Sequence, residues 1–289
     1  MNLESINSTP MDCNGPIGVF DSGIGGLSVL RHIHAQLPHE HLLYFADSGF
    51  APYGNKPEAV IVDRSLQIAQ FLLQRGAKAL VVACNTATAA SIKALRELYP
   101  ALPVVGVEPG LKPAAAISQT RIVGVLATER TLASEKFKLL QEQIAAATNV
   151  HFLLQACVGL ADQIEKGELD SPATRAMVTR FVSPLLQQGA DTLVLGCTHY
   201  PFVQPLIEEI VKDETAKQIT IIDTGDAVAR QLTRLLAQHR QTRIADDNGS
   251  LHAFTTASQA TLSAVFASLL NLHPEVMQIA LTGSIEASQ

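Results

Sequence analysis

Two cysteines, Cys84 and Cys197, each close a copy of one segment. Leu72-Leu73-Gln74-Arg75-Gly76-Ala77-Lys78-Ala79-Leu80-Val81-Val82-Ala83-Cys84 returns as Leu185-Leu186-Gln187-Gln188-Gly189-Ala190-Asp191-Thr192-Leu193-Val194-Leu195-Gly196-Cys197, with eight of the thirteen paired positions identical. Each copy reads as a helix end, a Gly-containing turn, a buried strand, and a thiol where the strand gives way to polar residues. Those residues are Asn85-Thr86 in one copy and Thr198-His199 in the other. A thiol at the start of a helix meets free N–H groups and the positive end of the helix dipole, both of which favour the thiolate. Two such thiols fit a redox pair, a metal site or a pair of acid/base groups. A redox pair expects close spacing such as Cys-x-x-Cys, and these are 113 residues apart. A metal would want more ligands than Cys84, Cys197 and His199 offer. Acid–base work at one carbon needs two weak acids on opposite faces, each able to switch near neutral pH. Two similar halves facing one another across a pseudo-twofold axis would supply that geometry, with one cysteine on each wall of a cleft.

Other residues suited to chemistry gather at predicted strand ends. Asp21-Ser22-Gly23-Ile24-Gly25-Gly26 follows a short apolar strand, and acidic Asp47 ends the next. Gly23-x-Gly25 after a strand superficially matches a dinucleotide fingerprint. Its third position is Ser28, and Asp21 would repel a pyrophosphate. The turn is better suited to letting Asp21 and Ser22 reach a small substrate, with Asp21 binding an ammonium group or polarising a thiol. Pro52-Tyr53-Gly54-Asn55, Asn85-Thr86 and Thr198-His199 add hydroxyls, amides and helix N-termini, which hold small carboxylates without a cationic clamp. Lys56 is the only nearby cation. His199 lies two residues from a thiol and is placed to orient or protonate it, whereas His32, His34, His39 and His41 read as solvated side chains.

The elements that must position these groups alternate. Strands are expected at 17–20, 42–46, 79–83, 104–107, 122–126, 150–155, 192–196, 218–222 and 251–255. Helices are expected at 27–37, 58–74, 86–98, 133–147, 159–166, 173–188, 226–239 and 258–270. Alternation of this kind implies parallel sheets, whose ligand sites lie beyond the carboxyl ends of the strands. Gly18-Val19-Phe20-Asp21-Ser22 also lines up with Gly124-Val125-Leu126-Ala127-Thr128, so Thr128 stands where Ser22 stands in the first half. The fold class is therefore α/β: two pseudo-symmetric three-layer α/β/α domains with mainly parallel sheets and the site in the cleft between them. Residues 1–15 read as a flexible N-terminal extension, 16–108 plus 223–289 as a discontinuous first domain, and 109–222 as the second.

Composition agrees. Of 289 residues, 47% are hydrophobic and only 17% charged, a balance suited to buried Val/Leu/Ile strands under Ala/Leu-rich helices. A net charge of −6 without any Lys/Arg cluster argues against a nucleic-acid partner. No apolar run approaches the ~20 residues that span a bilayer, and the N-terminus lacks a signal-type apolar core, so a cytoplasmic location is expected. Four cysteines are too few for a disulfide framework in a chain this long.

The chain resembles the glutamate racemases. Phe20-Asp21-Ser22-Gly23-Ile24-Gly25-Gly26, Asp47 through Pro52-Tyr53-Gly54, Ala83-Cys84-Asn85-Thr86-Ala87 and Gly196-Cys197-Thr198-His199-Tyr200-Pro201 carry the resemblance. Aspartate racemases share the fold and both cysteines but typically carry a glutamate where His199 stands. The resemblance implies cofactor-independent interconversion of L- and D-glutamate, supplying D-glutamate for peptidoglycan, with neither pyridoxal phosphate nor a metal. It implies that Cys84 deprotonates D-glutamate and Cys197 L-glutamate, assisted by Asp21 and His199 respectively. Ser22, Tyr53, Gly54, Asn85, Thr86 and Thr198 would contact substrate, and Asp47, Thr128 and Glu165 would be accessory. Around Cys157, Val158 stands where many relatives have proline. The N-terminal extension resembles that of relatives activated by UDP-N-acetylmuramoyl-L-alanine. Oligomeric state is left as monomer or homodimer. The competing readings are a racemase of the same fold acting on aspartate or a hydantoin, and a non-catalytic binding protein.

Overall fold

The computed structural model describes residues 12–281. The chain divides into two compact units, Met1–Val107 with Gly225–Gln289, and Glu108–Thr224. The first holds a six-stranded sheet of β1 (Ile17–Asp21), β2 (Leu42–Ala46), β3 (Ala79–Val82), β4 (Val104–Gly106), β9 (Leu251–Thr255) and β10 (Glu275–Gln278), in the order β10-β9-β2-β1-β3-β4. The second holds β5 (Ile122–Ala127), β6 (His151–Ala156), β7 (Thr192–Gly196) and β8 (Thr220–Ile222), in the order β6-β5-β7-β8. Every strand pair in both sheets is parallel. The order β2-β1-β3-β4 thus recurs as β6-β5-β7-β8.

The duplication extends to packing. Helix α2 (Glu58–Leu73) precedes β3, and α8 (Pro172–Gln187) precedes β7. Gly18 pairs with Leu80 in the first sheet and Gly124 with Leu193 in the second. A Cβ on Gly18 would stand 3.1 Å from Leu72 and 3.0 Å from Leu80; on Gly124, 2.8 Å from both Leu185 and Leu193. These are the same two leucines of each repeat, so each sheet needs a bare backbone where the preceding helix presses on it. Both turns place their glycine at positive φ, 82° at Gly76 and 90° at Gly189, a region in which a Cβ is strained. The next residue closes each helix alike, Ala77 N–H to Leu72 O at 3.2 Å and Ala190 N–H to Leu185 O at 3.1 Å.

The remaining helices are α1 (Leu27–Gln36), α3 (Asn85–Leu98), α4 (Leu111–Ile117), α5 (Glu129–Ala133), α6 (Glu135–Thr148), α7 (Leu160–Glu165), α9 (Gln204–Glu214), α10 (Gly225–Gln238) and α11 (Gln259–Leu270). Four elements depart from the sequence expectation. Helix α4 forms where no helix was expected, with Pro113 in its first turn, where the missing N–H is not needed. Pro205 does the same for α9, which buries Leu206, Ile207, Ile210 and Val211. Strand β10 buries only Val276 and therefore carries little apolar signal. Helix α5 is a single capped turn, Thr131 N–H to Thr128 Oγ1 at 3.2 Å.

Residues 12–15, assigned to a flexible extension by sequence, form a turn in which Gly15 N–H meets Asp12 O at 2.8 Å and Lys78 Nζ donates to Cys13 O. Lys78 is wholly buried and pairs with Glu40 at 2.5 Å. The rest of that extension, residues 1–11, lies outside the described residues. Among the described residues, no helix is long and apolar enough to cross a membrane.

Candidate active site

Because all strands of a sheet run one way, their carboxyl ends form a single row. In the first unit that row carries Thr256 after β9, Asp47 after β2, Asp21-Ser22 at the end of β1 and Cys84 after β3. In the second it carries Cys157 after β6, Thr128 after β5 and Cys197 after β7. Each row therefore carries one of the two thiols.

Around Cys84 the turn after β1 closes on the thiol. Gly26 N–H donates to Asp21 Oδ2 at 2.6 Å, and a Cβ on Gly26 would stand 2.6 Å from Asp21 Cβ and 3.2 Å from Ala83. This glycine is what lets the turn fold onto both strand ends. Ser22 Oγ lies 3.5 Å from Asp21 Oδ1 and 3.6 Å from Cys84 Sγ, so serine stands between carboxylate and thiol. Cys84 itself caps α3, its sulfur accepting from Ala87 N–H at 3.4 Å. A sulfur at the N-terminus of a fourteen-residue helix sits where a thiolate is favoured. The next residue, Asn85, is buried with both polar atoms of its amide lacking a protein partner. Leaving such a group unpaired costs about 1–3 kcal/mol, which marks it as a group kept for a ligand. Thr86, beside it, is also buried.

Asp47 is held otherwise than an accessory acid would be. Arg64, on α2, reaches it with Nε to Oδ2 and Nη2 to Oδ1, both at 2.7 Å; Tyr53 donates to Oδ2 at 2.7 Å and Thr256 to Oδ1 at 2.8 Å. Tyr53-Gly54-Asn55 forms a short 3-10 turn behind this network. Burial, then the charge and hydrogen bond of Asp47, push the Tyr53 phenol well above its ordinary value, so it stays a donor.

The second thiol has different support. Cys197 is followed by a 3-10 turn, Tyr200–Val203, with α9 beginning only at Gln204. The N–H of Tyr200, the residue equivalent to Ala87, goes to Cys197 O at 3.0 Å. The side-chain neighbour of the sulfur is instead His199, whose Nδ1 lies 3.7 Å from Sγ, while its Nε2 lies 2.7 Å from Glu165 Oε1 at the end of α7. Burial acts to lower the imidazole pKa, but the thiol and Glu165 on either side outweigh it and raise it well above the usual value. Thr198 is buried beside the thiol. Thr128 caps α5, a different setting from that of its counterpart Ser22. Cys157 is buried at the neighbouring strand end, and that burial raises its thiol pKa.

Asp21, Ser22, Tyr53, Gly54, Cys84, Asn85, Thr86 and Asp47 thus belong to the first unit, and Thr128, Glu165, Cys197, Thr198 and His199 to the second. Sequence reasoning missed Arg64 and Thr256. Arg64 lies between inward-facing Ile61, Ser65 and Ile68, a position that signals inward reach. Thr256 follows an expected strand, so the strand-end rule that found Asp47 applies to it equally. Among the described residues, no group of three or more His, Cys, Asp or Glu is placed to hold a metal.

Comparison with known proteins places the chain in a family. A family model described as Asp/Glu/hydantoin racemase matches residues 17–232. The chain is 54% identical to a glutamate racemase of Stutzerimonas stutzeri over 227 residues, 78% of this chain and 84% of that protein. Among solved structures, a glutamate racemase isoform from Bacillus anthracis superposes with a TM-score of 0.81 at 33% identity, over 92% of this chain and 98% of that one. The Escherichia coli glutamate racemase, in complex with L-glutamate and the activator UDP-MurNAc-ala, superposes with a TM-score of 0.75 at 33% identity, over 91% and 97%. With its duplicated thiol-bearing sheets and a match over most of its length, the chain belongs to the Asp/Glu/hydantoin racemase family.

Proposed function

We propose that this chain is a glutamate racemase that interconverts L- and D-glutamate with two thiols and supplies D-glutamate for peptidoglycan from the cytoplasm. The observation that carries this is the pair of cysteines at equivalent strand ends, each with its own polar support, in a chain 54% identical to a glutamate racemase. The Cys197 thiolate takes the α-proton of L-glutamate, and the Cys84 thiol delivers a proton to the opposite face; the reverse reaction exchanges the roles. His199, held by Glu165, orients Cys197, while Ser22 and Asp21 serve Cys84. The buried amide of Asn85 and the N–H groups of α3 receive a substrate carboxylate, and Ser22, Tyr53, Gly54, Thr86 and Thr198 complete the contacts. Tuning a thiol by one pKa unit is worth only ~1.4 kcal/mol, so fixed donors aimed at the developing carbanion carry most of the stabilisation.

The test is loss of optical rotation from L-glutamate without added cofactor, beside L-aspartate and a hydantoin. The two enantiomers have equal free energies, so kcat/KM is the same in both directions for every variant. The face served by each thiol is therefore read from primary isotope effects. Cys84→Ser should enlarge the effect with 2-deuterated D-glutamate and Cys197→Ser that with the L-enantiomer, whereas identical effects in both variants would falsify the two-thiol assignment. The same assay with added UDP-N-acetylmuramoyl-L-alanine tests activation, which we propose because the Escherichia coli relative was solved with that activator.

A further inference from the structure

We propose that Thr256 and Arg64 are positioning residues for glutamate. Through Asp47 they hold Tyr53 and the turn around Gly54 in the conformation that meets the substrate. This rests on the glutamate racemase reading, in which Tyr53 and Gly54 contact the ligand.

Both oxygens of the Asp47 carboxylate are fully engaged, Oδ1 by Arg64 Nη2 and Thr256 Oγ1, Oδ2 by Arg64 Nε and the Tyr53 hydroxyl. With two short donors on each oxygen, the charge is satisfied internally. A carboxylate engaged in this way fixes its donors in place. The Tyr53 hydroxyl is one of them, so the 3-10 turn that carries Gly54 is fastened at its first residue.

Thr256 fastens the loop at its other end. Its hydroxyl accepts Gly49 N–H at 2.9 Å while donating its one proton to Asp47, and the two bonds together set its rotamer. A Cβ on Gly49 would stand 2.4 Å from Thr256 O, which shows how closely the two backbones run. Between these anchors Phe50 is flanked by the Arg64 guanidinium at 4.8 Å and Lys56 Nζ at 4.5 Å, and meets the Tyr53 ring edge-on at 6.1 Å. Arg64 thus makes both the bidentate pair and the stacking contact, a combination that lysine does not reproduce.

Thr256 is 209 residues from Asp47 and lies beyond residues 17–232, the span matched by the family model. The conformation of the substrate loop is therefore set in part from outside that span. Strand β9 delivers Thr256 because its register on β2 sets Thr255 opposite Ala46, one residue short of the contact.

The experiment uses the full chain with Thr256→Val, Thr256→Ser and Arg64→Lys, measuring kcat and KM for L-glutamate and the thermal midpoint of each. Thr256→Val and Arg64→Lys are each expected to raise KM about fivefold or more with kcat within about threefold, because ground-state positioning is lost. Thr256→Ser, which keeps the hydroxyl, is expected to stay within about twofold of the parent KM. An unchanged KM in the two disruptive variants, with only the midpoint lowered, means a purely structural network and overturns the proposal. So does a serine variant as impaired as the valine one. If one variant does not fold, the other decides. A parent that does not racemise glutamate sinks the functional reading and this inference with it, whereas an active parent with unmoved KM in the variants sinks the inference alone.

Discussion

At the scale of single residues, the two thiols differ in what stands beside them. Cys84 accepts a backbone N–H and donates to a serine hydroxyl, and Cys197 stands beside an imidazole braced by a carboxylate. The imidazole has a testable signature. Its pKa is raised in the folded protein against the opposing effect of burial, so the folded state holds a proton that the unfolded state releases above about pH 6.5. Stability from this source is complete below that pH and is lost as pH rises through the folded value. Glu165→Gln, which removes the charged partner, should cost about 1.5–3 kcal/mol in urea titrations at pH 6. The difference from the parent should shrink as pH rises through the raised folded value, and a difference constant with pH would show that the pair is not ionic. His199 was identifiable from sequence because it lies two residues from its thiol. Its partner Glu165 lies 34 residues away on another element, and only the resemblance to relatives suggested it.

Elements explain why equivalent cysteines have unequal surroundings. Helix α3 begins directly at Cys84, whereas a 3-10 turn separates Cys197 from α9, so the first thiol has a helix N-terminus and the second needs a side chain. Asn85-Thr86 against Thr198-His199 encodes that difference, and Pro201 falls in the turn that replaces the first helical turn. The repeated strand also makes a paired prediction. Gly18→Ala and Gly124→Ala each drive a methyl against the two leucines of their own repeat, and overpacking of this kind costs about 1–3 kcal/mol. Gly124→Ala should cost more, because both of its leucines stand at 2.8 Å against 3.0–3.1 Å at Gly18. Urea titration of the two variants checks the order, and a neutral result at both positions would show that the helices yield.

For the molecule as a whole, connectivity matters most in the first unit. The chain leaves it at Val107 and re-enters at Gly225, and β9 then pairs with β2 over five residue pairs from Leu42↔Leu251 to Ala46↔Thr255. A chain ending at Gln238, just past the family-matched span, would lack β9, α11 and β10. It would leave the apolar strand β2 as an open edge and remove Thr256 from Asp47. Such a truncation should lose the cooperative thermal transition of the first unit and racemase activity together. Retention of parental melting would show that the C-terminal segment is dispensable.

By itself the sequence determined the alternation of strands and helices, the duplication, both thiols and the neighbours adjacent to each in the chain. Those features rest on periodicity, turn chemistry and spacing, all local properties that survive without knowledge of strand order. Tertiary structure alone decided which distant side chains meet. Arg64 and Thr256 turn Asp47 from a candidate acid into an anchor, and Glu165 closes on His199. Sheet order and register bring these groups within hydrogen-bonding distance, and no local pattern in the chain records how far along it the partner lies.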